Sequence, residues 1–190
     1  MIKESLIKNK NILAVCLFLF LLGIPIGYLS YGLIADKVLP VIQSIAAEIQ
    51  GKSQLETVLA IFLNNYRVCV ILTLAGIFII PALGIVMLNG FIIGFVAKLL
   101  QNENLGILYL IKGIALHGIF ELPAIFISAA IGIRIGLSLL TFDFSKMKKN
   151  ASQSIREAIV VHFLVVVPLL IIAAFIEVFI SAALILGKTI

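Results

Sequence analysis

Tryptophan is absent, cysteine occurs only twice, and residues 11–35 hold no charged side chain at all. Each scarcity excludes something. Cys16 and Cys69 both sit inside apolar runs, where a buried thiol behaves as a small hydrophobe. Two such cysteines make neither a disulfide framework nor a metal-type spacing. Catalytic signatures are missing as well: there is no Walker A loop, no G-x-S-x-G and no H-E-x-x-H. No catalytic residue, metal ligand set or cofactor site is assigned on this reading, and the chain is expected not to be an enzyme.

What the chain has instead is apolar length. Of its 190 residues, 63% are hydrophobic, with a mean hydropathy of +1.26. A soluble domain of this size carries far more polar surface, so the composition points to an integral membrane protein. The formal net charge of +5 is not a nucleic-acid footprint. Its basic residues gather at the ends of apolar runs, where they fix orientation. The stretch with Lys146, Lys148, Lys149 and Arg156 lacks interleaved aromatics and is explained by topology or anionic lipid contact.

One all-α integral membrane domain with about five spans is expected, near residues 11–35, 57–80, 84–100, 113–140 and 157–187. Lys3, Lys8 and Lys10 precede the first run. That run is too long for a signal peptide and has no clean cleavage site, so it is expected to be retained as a span. Segment 36–56 repeats Val38, Ile42, Ile45 and Ile49 at helical spacing, the pattern of an amphipathic helix on the outer surface. Ser53 with Glu56, and later Ser154 with Glu157, have the spacing of capping boxes that open helices. Residues 57–97 carry one charge, Arg67, over 41 positions, about twice the roughly 20 that one crossing needs. Two spans follow, with a turn near Pro81 and Gly84; a re-entrant pair of half-helices over 81–100 is the competing layout. The basic loop 141–156 is cytoplasmic by the positive-inside rule. That puts the N-terminus in the cytoplasm and the C-terminus outside, in the plasma membrane.

Polar residues inside these spans draw the functional reading. Arg67 lies about eleven residues into its span, roughly 16 Å at 1.5 Å per residue. Glu121 lies at a similar depth, and His117 shares its helix face one turn away. An unpaired charge at the bilayer centre costs about 2.5–3.5 kcal/mol, so Arg67 and Glu121 are expected to pair. Asn64 or Asn65, Asn89 and His117 would support them in one buried cluster. One His and one Glu fall short of the three or four ligands a metal needs. The small-xxx-small pairs Gly23/Gly27, Gly90/Gly94 and Gly132/Gly136 suit close helix contact, within a protomer or across a dimer.

Read in order, "FLNNYRV", "MLNGFIIG" and "HGIFELPAIFISAAIGIRIG" resemble the stage II sporulation protein M family over roughly 55–140. The matching positions are Asn64, Asn65, Asn89, Gly90, His117, Gly118, Glu121 and Leu122. In spore-forming bacteria the family's namesake is a membrane component of the engulfment machinery, associated with peptidoglycan-degrading partners. The resemblance therefore implies a scaffold in the lipid bilayer, with protein partners docking on the outer segment or the cytoplasmic loop. The alternative is a small ion or polar-solute transporter using Arg67, His117 and Glu121. Five spans are few for a transporter protomer, so a homo-oligomer, a dimer first, is expected.

Overall fold

The computed structural model describes residues 9–49, 51–140 and 144–181. Every regular element among them is helical, as hydrocarbon requires, because each backbone N–H and C=O there must be satisfied within its own segment. Helix α1 is Lys10–Ile49, α2 is Gln54–Ala75, α3 is Ile80–Asn102 and α4 is the short Ile107–Leu110. Helix α5 is Leu116–Leu139, α6 is Phe144–Val161 and α7 is Val167–Ile176. The π-turn His162–Val166 joins α6 to α7, and a further one, Glu177–Ser181, extends α7, so the last span is one continuous rod. Among the described residues, five segments are long and apolar enough to cross a membrane: Lys10–Ser44, Gln54–Phe78, Ile80–Asn102, His117–Leu139 and Lys149–Ser181. The expected all-α bundle with five spans forms. Lys3, Lys8 and the expected end of the last span near 187 lie outside the described residues.

Several boundaries differ from the sequence expectation. Segment 36–49 continues the first helix without a break, giving 40 residues in α1, or roughly 60 Å at 1.5 Å per residue. Pro25 and Pro40 lie inside α1 without ending it. The helix ends only near Gly51, whose φ of 83° is the left-handed conformation that favours glycine. Ser53 then caps α2 as expected: its hydroxyl accepts from the Glu56 amide, and its own amide donates to the Glu56 carboxylate. The reversal between the second and third spans falls at Ile79, just before Pro81. Ile79 has φ 60° and ψ −67°, a strained conformation for a β-branched residue. Helix α3 is unbroken over its 23 residues, so the re-entrant layout does not form. Residues 144–156, expected as loop, are the start of α6.

Helix α5 is the centre of the bundle. Of its apolar window 61% is buried, against 17% to 33% for the other four spans, so protein surrounds it where the others face outward. It packs on α1, α2, α3, α6 and α7, and its small residues Ala124, Ser128, Ala129 and Gly132 let them approach.

The glycine pairs set the two tightest seams, both within the protomer. A methyl group at Gly23 would strike the Met87 carbonyl, at Gly27 that of Phe91, at Gly90 that of Phe20 and at Gly94 that of Ile24. Helices α1 and α3 thus interlock backbone to backbone. Gly132 likewise lies against Thr73, and Gly136 against Ile77, with Gly76, in the 3-10 turn that follows α2, facing Gly132. In both seams the contacting numbers rise together, so α1 is parallel to α3 and α2 to α5. Alternating crossings demand that sense.

Candidate functional site

The buried polar centre lies between α2, α5 and the last span. Helix α2 turns Val58, Cys69 and Leu72 inward, and Gly76, just past its end, is buried with them. Thr73 follows on the edge of that face, and its hydroxyl lies 3.1 Å from the carbonyl oxygens of both Cys69 and Ser128 and 2.8 Å from His162 Nε2. A hydroxyl has one proton to give. A consistent arrangement is that His162 Nε2–H donates to Thr73, which shares its own proton between the two carbonyls. The Tyr66 ring meets the His162 ring edge-on, with centroids 6.1 Å apart. Ser128 donates back to the Ala124 carbonyl at 2.8 Å. Three spans are thereby tied by groups that lipid could not satisfy. His162 opens a π-turn, a distortion that recurs at functional positions, and its Nδ1 is buried without a hydrogen-bond partner among the described residues.

Nearer the other end of α5 lie His117 and Glu121, with Nε2 and Oε2 3.9 Å apart across one helical turn. Glu177, where the last π-turn begins, is close enough for its charge to interact with that of Glu121. His117 Nδ1 is buried and has no hydrogen-bond partner among the described residues. An imidazole and a carboxyl thus meet inside a span, within electrostatic reach of a second carboxyl, where ionised groups need a compensating positive charge, a proton or a small cation. Among the described residues, no group of three or more His, Cys, Asp or Glu is arranged to hold a metal ion.

The predicted cluster is only partly assembled. His117 and Glu121 come together. Arg67 does not join them: it is exposed, and among the described residues it has no ion pair. The reason is rotational. Arg67 is two residues from the inward-facing Cys69, roughly 200° around a helix of 3.6 residues per turn. It falls on the outward stripe with Leu59, Leu63, Ile71 and Leu74, all exposed. Asn64 is exposed and Asn65 half-buried. Asn89 donates to the Ile85 carbonyl of its own helix at 2.9 Å, not to the cluster. Sequence reasoning missed Thr73, Ser128 and the approach of Glu177 to within electrostatic reach of Glu121. Thr and Ser are ordinary in such spans, and only an antiparallel register of α5 against the last span brings 121 to 177.

Two polar arrangements close the ends of the bundle. At one, Lys98 Nζ donates to Gln101 Oε1 at 2.8 Å and sits 5.2 Å from the centroid of the Tyr28 ring. The Tyr28 hydroxyl donates to the same Gln101 oxygen, and a cleft of about 450 Å³ opens beside them. At the other end, Arg134 Nη1 lies 2.9 Å from Glu157 Oε2. Glu157 Oε1 accepts from Gln153 at 3.1 Å. The expected capping box at Ser154 is therefore not a cap. Ser154 is buried in the middle of α6, and Glu157 is held by Arg134 and Gln153.

Five membrane-length helices around a titratable centre define a polytopic helical membrane protein. The chain belongs to the family described as Stage II sporulation protein M, which matches it over residues 13–182. It is also similar to an uncharacterized protein of Methanocaldococcus jannaschii, 28% identical over 152 residues. That match covers 74% of this chain and 66% of the relative, just under two thirds of its length. No solved structure matches the chain.

Proposed function

We propose that the protein is a non-enzymatic membrane scaffold that works as a homodimer, with the exposed face of α2 as the subunit contact. The observation that carries this is Arg67, exposed beside the exposed Asn64 midway along a 25-residue span and surrounded by outward Leu and Ile side chains. Lipid tails solvate neither group, and about 2.5–3.5 kcal/mol per central charge favours a protein neighbour. Direct glycine packing and the hydrogen bonds at Thr73 suit a rigid frame. The clustering of basic residues on α6 supports a cytoplasmic N-terminus and an external C-terminus in the plasma membrane. Protein partners would dock on the end of α1 or on α6.

The test uses a Cys16→Ala, Cys69→Ala background with a single cysteine at Arg67 or, as control, at Leu29 on α1. Bismaleimide treatment of native membranes should cross-link the position-67 protein to a dimer. Equal cross-linking at both positions, or none at 67, overturns the reading.

A second reading, an ion or proton pathway, is favoured by His117, Glu121 and Glu177, which have no Lys or Arg partner among the described residues. It predicts a pH-dependent flux in proteoliposomes that Glu121→Gln abolishes in folded protein. Rapid labelling of a cysteine at 117 by an impermeant maleimide would support this reading, and protection from both sides would remove it.

A further inference from the structure

The end of the bundle where α5 meets α6 carries chemistry that neither reading uses. A cleft of about 370 Å³ is lined by Arg134, Leu137, Ser138, Asn150, Gln153 and Ser154. Five of these six side chains are polar. Arg134 is half-buried, and its Nη1, 2.9 Å from Glu157 Oε2, makes an ion pair but no hydrogen bond among the described residues. A guanidinium has five N–H donors. The Glu157 carboxylate is meanwhile occupied on both oxygens, by Arg134 and by Gln153. Helix α6 carries Lys146, Lys148, Lys149 and Arg156 against Glu157 as its sole acid. An anion is therefore the fitting occupant.

Its position says which anion. The membrane-length segment of α5 ends at Leu139 and that of the last span begins at Lys149, so the cleft opens at the membrane boundary. Leu137, on its wall, and Leu140, beside it, are both exposed. A polar, cationic cleft next to an exposed apolar edge matches a molecule with a charged head and an acyl tail. We propose that this cleft holds the phosphate head group of an anionic phospholipid, with Arg134 as its fork-shaped donor and Asn150 as a second polar contact. The proposal is independent of the scaffold reading.

Native mass spectrometry of the full chain, titrated with phosphatidylglycerol and separately with phosphatidylcholine, tests it. The unaltered protein should favour phosphatidylglycerol by about tenfold, the scale of one charge-assisted hydrogen bond. Asn150→Asp, which adds a negative charge without removing the ion pair, should bring the two lipids to within about twofold at an unchanged melting temperature. Because that change could disturb α6, the double variant Arg134→Gln, Glu157→Gln provides a charge-balanced second route and should lose the preference equally. Equal binding of the two lipids by the unaltered protein overturns the proposal. So does a preference that survives in both variants. Release of bound phosphatidylglycerol by millimolar inorganic phosphate would identify a soluble phosphate ligand instead, and would overturn the lipid assignment too.

Discussion

Helices α1 and α3 meet as bare backbone. Gly23 and Gly27 on one face oppose Gly90 and Gly94 on the other, and the polar contact between them comes at the end, where Tyr28 and Lys98 share Gln101. Helices α2 and α5 also meet at glycines, but there the seam continues into Thr73, Ser128 and His162, and further along into His117, Glu121 and Glu177. Between helices in lipid there is no hydrophobic drive, only packing and hydrogen bonds. The first seam uses packing along its length, with its one polar contact at the end, and can only hold. The second adds groups that titrate and donate, so it can also respond.

The sharpest way to break the first seam is Gly94→Leu. The side chain would enter the Ile24 carbonyl and the Tyr28 amide, both backbone groups that cannot swing away. A cost of about 3 kcal/mol or more is expected, read as aggregation on size exclusion or a lower melting temperature in detergent. Gly84→Leu, with nothing within 4 Å, should melt close to the unaltered protein. Equal effects would show that the α1/α3 contact is not what holds the pair.

In the second seam, Thr73→Val leaves His162 Nε2 without its partner while keeping the shape. About 1–2 kcal/mol should be lost, and Thr73→Ser should recover most of it. Thermal melting of the three proteins side by side decides this.

Glu121→Gln moves the other way. Since Arg67 is not its partner and a second carboxylate is near, removing the charge should leave the protein as stable or more stable by about 1 kcal/mol. A lower melting temperature would mean that His117 and Glu121 form a structural clamp.

The smallest effect separates the two Ser-x-x-Glu boxes. Ser53→Ala should cost about 1 kcal/mol as a lost N-cap. Ser154→Ala, in a helix interior where alanine has the better propensity, should fall within about 0.5 kcal/mol of neutral. The contrast also shows what was legible. Gly51 stops the chain just ahead of Ser53, so the box finds a helix to open. Ahead of Ser154 run Lys148, Lys149, Asn150, Ala151, Ser152 and Gln153, with no glycine or proline among them, and the helix passes through. A four-residue motif is a cap only where something upstream has ended the previous helix.

The same distinction holds for the site. His117 and Glu121 were readable as a pair because one helix places residues four apart on one face. Arg67 was readable in depth but not in direction. Depth follows from counting residues along a span, whereas direction depends on which face of α2 its neighbours accept. The glycines at 76 and 132 and the small residues around Ser128 set that face.

Taken by itself, the sequence determined the helical class, the number of membrane-length segments, the cap at Ser53 and the small-residue faces. All of these depend on local hydropathy, spacing or side-chain size. Only the tertiary structure decided that the glycine pairs close within one protomer, that Glu177 comes within electrostatic reach of Glu121, that Glu157 pairs with Arg134 and that Arg67 points outward. Those depend on the rotation and register of helices distant in sequence, which packing chooses and periodicity alone does not encode.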